Sequence, residues 1–339
     1  MYIYIYMIDY TVIGGGISGI VSICVLHSKY PNSKILWIDS HSFSGGDLRK
    51  YPEVPANTST PKLIGFIQTL YELLGICNTC DDACESIGDN KFKLDCLVNE
   101  LVKISSIIKN MENISITSDH ITHIDYTGGV WNLKGAAHYT SQKVVLAIGS
   151  TQKKLNYDIP EIPLEVALNP KELSTLNIRN KKITVFGNSH SGVLVLKNLV
   201  ELGIQNIQNI IQSPIRIPHF NSDGVEIYME SGIRGIGLNW VLQNIVPENK
   251  TNIQINTYCE NLTIDSDYVV YAIGLAPRHI QLTSDGQSLH KFKNFNETGL
   301  LFTNLYGIGV AFPKYYTLYG IDEYEIGMWE FLERARAIF

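Results

Sequence analysis

The chain has 339 residues, 45% hydrophobic and 18% charged, with a formal net charge of −6. That length allows two domains with real cores. The acid excess argues against nucleic acid and against an anionic membrane surface as partners.

Residues 1–8 alternate Tyr and Ile without the basic region or cleavage site of a secretory signal, so a cytoplasmic protein is expected. Six cysteines, at 24, 77, 80, 84, 96 and 259, should then be reduced thiols.

An apolar strand over 10–13 runs into Val-Ile-Gly-Gly-Gly-Ile-Ser-Gly at 12–19, and a helix over 17–27 follows. Gly14 permits the tight turn. Gly16 lets backbone approach a pyrophosphate, beside the free N–H groups of the helix start and Ser18. Gly19 lets the helix pack on the sheet. A second strand over 34–38 ends at Asp39, which can accept from both ribose hydroxyls of an adenosine. The three glycines alone are weak evidence. In strand–turn–helix–strand–acid context they indicate a dinucleotide.

Residues 40–60 form a long loop with Gly45 and Gly46, the kind of loop that usually carries function. Pro61 opens a helix whose inner face is Leu63, Ile64, Ile67, Leu70, Tyr71 and Leu74, closed by Gly75. A loop over 77–90 holds Cys77, Cys80 and Cys84, and a second helix spans 91–109. Short alternating runs at 114–117, 120–126, 130–133 and 138–141 fit a meander with a Gly128-Gly129 turn. A buried strand over 143–148 ends in Ala147-Ile148-Gly149, where Gly149 lets backbone meet a ligand.

After a proline-rich linker the opening pattern returns: a strand over 182–186, the turn Gly187-Asn188-Ser189-His190-Ser191-Gly192, a helix over 193–202 and a strand over 209–212. Gly187 and Gly192 keep the outer positions. Ser189 replaces the middle glycine, and Ser189 and Ser191 can donate to phosphate oxygens. His190 either touches the pyrophosphate or is satisfied by backbone. No acid ends the second strand. Arg216 follows it instead and would suit a 2′-phosphate, favouring NADP over NAD. A buried strand over 267–273 ends in Ala272-Ile273-Gly274, echoing Ala147-Ile148-Gly149. The tail reads as a strand over 305–312 enclosing Gly309 and a final helix over 323–338.

Two glycine turns 173 residues apart, each answered by an Ala-Ile-Gly strand end, resemble the two-dinucleotide-binding flavoproteins, a superfamily that includes the class B flavin monooxygenases and the pyridine nucleotide-disulfide oxidoreductases. The resemblance implies an α/β fold of two Rossmann-like three-layer domains, the second inserted into the first. An FAD domain would take 1–155 and 270–339, a linker 156–169 and an NAD(P) domain 170–269. Gly45-Gly46 is similar to the glycine pair of the monooxygenase branch, and Asn57-Thr58 to its loop near the flavin. Gly149, Gly274 and Gly309 join the cofactor contacts.

Two features depart from the pattern. Residues 162–170 lack Phe-x-Gly-x-x-x-His, and the late Gly-Asp that holds the ribityl chain appears as Gly309-Val310. The implied activity passes hydride from NAD(P)H to FAD, most simply in a monooxygenase acting on a small nucleophilic substrate. The alternatives are a disulfide reductase using Cys77 and Cys80, and a non-catalytic flavin-binding protein. No catalytic side chain and no metal ligand are assigned.

Overall fold

The structure is a computed structural model that describes residues 7–77, 92–229, 231–246, 251–289 and 295–339. Its first unit begins β1 (Ile8–Ile13), α1 (Ile17–Lys29), β2 (Ile35–Asp39), α2 (Thr60–Leu73) and α3 (Leu94–Ile108). It continues with β3 (Ile114–Ser118), β4 (His123–Thr127), β5 (Val130–Lys134) and β6 (His138–Leu146).

Strands β3, β2, β1 and β6 lie side by side in that order and are parallel. Leu305–Gly307 joins parallel to β6 on the far side. Such strands are buried on both faces, which explains their nearly unbroken apolar runs. On one face α1, α2, α3 and the late helix Met328–Ile338 close a core around fully buried Trp37, Phe66 and Phe92. On the other, the antiparallel meander β4-β5-β6 folds over Ile13, Ile38 and Leu146. Strand order turns back at β1, so the crevice at its carboxyl end is the place where such sheets bind ligands.

The second unit is a separate parallel sheet, ordered Ile253–Thr257, Asn206–Ile211, Lys182–Phe186, Tyr268–Tyr271. Helix His190–Glu201 packs its Val193, Val195 and Leu199 into that unit's core. The chain crosses out and back through an antiparallel ribbon, Ser150–Gln152 against Leu275–Pro277. One sheet therefore interrupts the other. The return crossing lies at 275–277 rather than at 270, because Tyr268–Tyr271 pairs with the second sheet.

Three elements differ from the sequence reading. The runs at 138–141 and 143–148 are one strand, β6, which leaves the meander at its start and enters the parallel sheet at its end. The strand beginning at Leu305 stops at Gly307, and Gly309 then turns at φ +91°. The last helix begins at Met328, not at 323. Residues before it form a hairpin, Lys314–Leu318 with Ile321–Glu325, closed at Gly320 with φ +76°. A positive-φ glycine there favours a hairpin over a helix start.

Asp119 ties the meander to the sheet. Burial works against its charge. The N–H groups of Ala136, Ala137 and His120 and the Tyr139 hydroxyl prevail, lowering its pKa to about 2. A depressed carboxyl stabilises the fold above its unfolded pKa of about 4 and loses that contribution as pH falls toward the folded value. Asp119→Asn is expected to cost about 2 kcal/mol at pH 7, with mutant and parent converging near pH 2. Urea midpoints across that range measure it.

Candidate functional site

The two glycine turns are built alike. Gly14 sits at φ +123°, and a Cβ on it would lie 2.1 Å from the Ala147 carbonyl oxygen. Gly187 sits at φ +99°, and a Cβ on it would lie 2.2 Å from the Ala272 carbonyl oxygen. Each turn N–H donates to the second strand at 2.8 Å, Gly14 to Ile38 and Gly187 to Ile210. Each Ala-Ile-Gly strand end donates back at 2.8 Å, Ala147 to Ile13 and Ala272 to Phe186. Even the turn carbonyls match. Trp37 Nε1 donates to Gly14 O, and Asn209 Nδ2 donates to Gly187 O, both at 2.9 Å. Trp37 and Asn209 stand at equivalent places, paired with Val12 and Val185.

The third glycines repeat the pattern. A Cβ on Gly19 would meet Gly14 O at 1.9 Å, and one on Gly192 would meet Gly187 O at 2.4 Å. These outer glycines bring helix against strand.

Gly16 is different. It caps α1 with φ −78° and ψ −176°, and a Cβ on it would find nothing within 4 Å. No side chain caps α1, and its first turn carries no acid. A missing side chain over open space, beside the first N–H groups of a helix, makes an anion cradle. These residues fit an ADP moiety.

The loop after β2 closes around this turn. Asp39 accepts from the N–H groups of Gly15 at 2.6 Å, His41 at 2.7 Å and Ser42 at 2.8 Å. Its oxygens keep lone pairs for a ribose. Gly45 N donates to Gly15 O at 3.0 Å, and a Cβ on Gly46 would lie 3.2 Å from Gly16 Cα. The glycine pair thus lies directly against the first turn. Exposed Asn57 and half-buried Thr58 stand just before α2.

Arg278 bridges both connections between the units. Its backbone N–H donates to Gly149 O, and its guanidinium reaches Ile148 O and Asp47. Burial works against the Asp47 carboxylate, yet Lys50 and Arg278 hold its pKa below the ordinary value. Gly309 faces Ser18 at the start of α1, where an added Cβ would lie 2.4 Å from the serine hydroxyl. Half-buried Val310 stands where Gly-Asp would present an acid.

The second turn opens on a cleft of about 570 Å³. Gly187, Ser189, Arg216 and Gly274 line it, as do Lys153 and Ser231. Ser189 caps helix His190–Glu201 without a side-chain cap bond, and again no acid stands in the first turn. The Arg216 guanidinium lies 5.6 Å from the Tyr228 ring centre. Ser191, Gly192 and His190 are not among the lining residues. The His190 ring nitrogens are buried, with the Pro55 backbone beside them. Burial lowers the His190 pKa, with that backbone opposing.

Sequence reasoning missed Lys153 and Ser231, which no motif marks. It also missed Asn209, which strand register against Trp37 could have found. The cysteine loop lies mostly outside the described residues, Cys80 and Cys84 included. Cys77 is a free, exposed thiol, whereas Cys96 is disulfide-bonded, against the expectation of reduced cysteines throughout. Among the described residues no helix is long and apolar enough to cross a membrane.

Two matched glycine turns stand on two parallel sheets, one sheet set into the other, a doubled Rossmann-type frame. Residues 8–309 match the pyridine nucleotide-disulphide oxidoreductase family, and the chain belongs to it. It is 23% identical to monooxygenase AgnR1 of Paecilomyces divaricatus over 377 aligned residues, 96% of each chain. Among solved structures it is similar to the flavin-containing monooxygenase of Stenotrophomonas maltophilia, with TM-score 0.62, 12% identity and coverage of 97% and 96%. It is also similar to the bacillithiol disulfide reductase Bdr (YpdA) of Staphylococcus aureus, with TM-score 0.62, 13% identity and coverage of 98% and 97%. A third likeness is to OTEMO, solved in complex with FAD and NADP, with TM-score 0.61, 12% identity and coverage of 89% and 80%.

Proposed function

We propose that the chain is an NADPH-dependent FAD oxidoreductase of monooxygenase type, acting on a small nucleophilic substrate. The observation that carries this reading is the pairing of an open cradle at Gly16 with a separate cleft at Ser189, each at a helix start. Gly14, Gly16, Ser18, Gly19 and Asp39 would hold the ADP half of FAD. Gly45, Gly46, Asn57, Thr58, Gly149 and Gly309 would flank its flavin end. Gly187, Ser189, Ser191, Gly192, Arg216 and Gly274 would serve the coenzyme, with His190 packed behind the turn. When bound, FAD would accept hydride from the coenzyme and pass two electrons to an acceptor.

A second cleft, of about 540 Å³, lies beside Ile148, Leu282, Phe295 and Phe312 and suits a largely apolar substrate. The full-length likeness to a monooxygenase favours O₂ as acceptor. The disulfide-reductase reading has one point in its favour, the free exposed thiol of Cys77, and would need Cys80 as its partner.

The test is an anaerobic titration of the FAD-reconstituted protein with NADPH and NADH, followed by O₂ uptake and by disulfide reduction. Bleaching by NADPH and substrate-stimulated O₂ uptake are expected. Turnover of a disulfide that is lost in Cys77→Ser would favour the reductase instead, and no bleaching with either coenzyme would leave a binding protein.

Arg216→Gln is expected to weaken NADPH binding ten- to a hundredfold, since a charge-assisted phosphate contact contributes about 1.5–3 kcal/mol. NADH binding should stay within about twofold. Calorimetry with both coenzymes reads the difference.

A further inference from the structure

The hairpin Lys314–Leu318/Ile321–Glu325 has no role in the reading so far, yet it crosses between the units. At its base it is rooted in the first unit: Asn296 exchanges two 2.7 Å hydrogen bonds with Tyr315. From there it reaches the segment between Arg216 and Ile233 of the second unit. Glu323, only 1% exposed, accepts from Ser231 N at 2.7 Å and from Ser231 Oγ at 3.2 Å. Nearer the tip, Tyr319 donates to Asp223 at 3.0 Å.

Ser231 lines the second cleft. Ile233 N donates to Arg216 O at 2.9 Å, so the Ser231 segment and the Arg216 segment form one lobe. Inside that lobe the small hairpin His219–Phe220/Glu226–Ile227 and the Arg216–Tyr228 contact stiffen the loop between them. A fully buried carboxylate is costly to place unless donors meet it. Here the donors belong to the lip of the cleft.

We propose that this hairpin is a coenzyme-positioning clasp. Glu323, held by the first unit, fixes Ser231 and through it the lobe that presents Arg216 to the phosphate end of the coenzyme. Glu323 is a positioning residue: it touches the lip and not the cleft, since Ser231 lines the cleft and Glu323 does not. The proposal rests on the reading of this cleft as the NADPH site.

The test uses the full chain reconstituted with FAD, carrying Glu323→Gln, Tyr319→Phe or Arg216→Gln, singly and combined. NADP⁺ binding is measured by calorimetry, FAD affinity by fluorescence and NADPH kinetics by flavin reduction. Glu323→Gln should weaken NADP⁺ three- to tenfold and raise the KM for NADPH by the same factor, with kcat and FAD affinity kept. Tyr319→Phe, at an exposed tether that a folded protein tolerates, should show a smaller shift of the same sign. Adding Glu323→Gln to Arg216→Gln should cost less than it costs alone, because both act through one lobe.

Unchanged NADP⁺ affinity in both Glu323→Gln and Tyr319→Phe, or full additivity with Arg216→Gln, would overturn the clasp. A parent protein that binds no NADP⁺ would remove the coenzyme reading itself, and the clasp with it. If Glu323→Gln fails to fold, Tyr319→Phe and its combination with Arg216→Gln decide the matter.

Discussion

Gly16→Val is expected to give a folded protein that has lost FAD. The backbone at Gly16 is extended, a conformation open to any residue, and the space above it is free of protein atoms within 4 Å. A Cβ there therefore meets no clash. The cost of valine to the fold is that of a poor helix cap, about 1 kcal/mol. The same space is where the pyrophosphate would have to lie against the α1 N–H groups. Branched methyls there would push the phosphates off those donors. A loss of at least about a hundredfold in FAD affinity follows, some 2.8 kcal/mol at 1.4 kcal/mol per tenfold. Circular-dichroism melts of the apoprotein and FAD fluorescence titrations separate the two effects. FAD affinity within threefold of the parent would remove the pyrophosphate from this turn.

Gly14→Ala should do the opposite, breaking the fold whether or not a cofactor is present. Its φ of +123° strains any L side chain, and the new methyl would stand 2.1 Å from the Ala147 carbonyl oxygen. That atom is backbone, held by the pairing of β1 with β6, so it cannot swing away. Strain of about 1–3 kcal/mol and overpacking of similar size add to about 2–6 kcal/mol. Many domains have little more than 5 kcal/mol in total. The urea midpoint should fall sharply, and excess FAD should not restore it. Gly187→Ala should do the same to the second unit, where the distance is 2.2 Å. A midpoint unchanged in Gly14→Ala would mean that β1 and β6 do not meet as described.

The contrast between these glycines explains how much could be read from the sequence. All the outer glycines announce themselves by spacing, because each is demanded by a local contact between a strand, its turn and the next helix. Gly16 and Ser189 look like one substitution in a motif, yet one faces open space and the other lines a cleft. Apolar runs placed β1, α1, β2 and α2 within a residue or two, since burial on both faces leaves no polar positions to blur the pattern. A helix start at 323 is what the short run before Met328 suggests by itself; its pairing with Lys314–Leu318 around the positive-φ Gly320 makes it a strand instead.

By itself the sequence determined the class of fold, the doubling of the glycine turn and the inward faces of the long helices, because those follow from steric demand and burial over neighbouring residues. Tertiary structure alone decided which residues share the second cleft. Lys153, Arg216, Ser231 and Gly274 come from four separate segments, brought together by the parallel sheet and its two crossings. It also decided that both His190 ring nitrogens are buried and that Glu323 reaches across to Ser231. Side-chain direction and contacts between distant segments depend on how whole layers pack, and no local spacing encodes that.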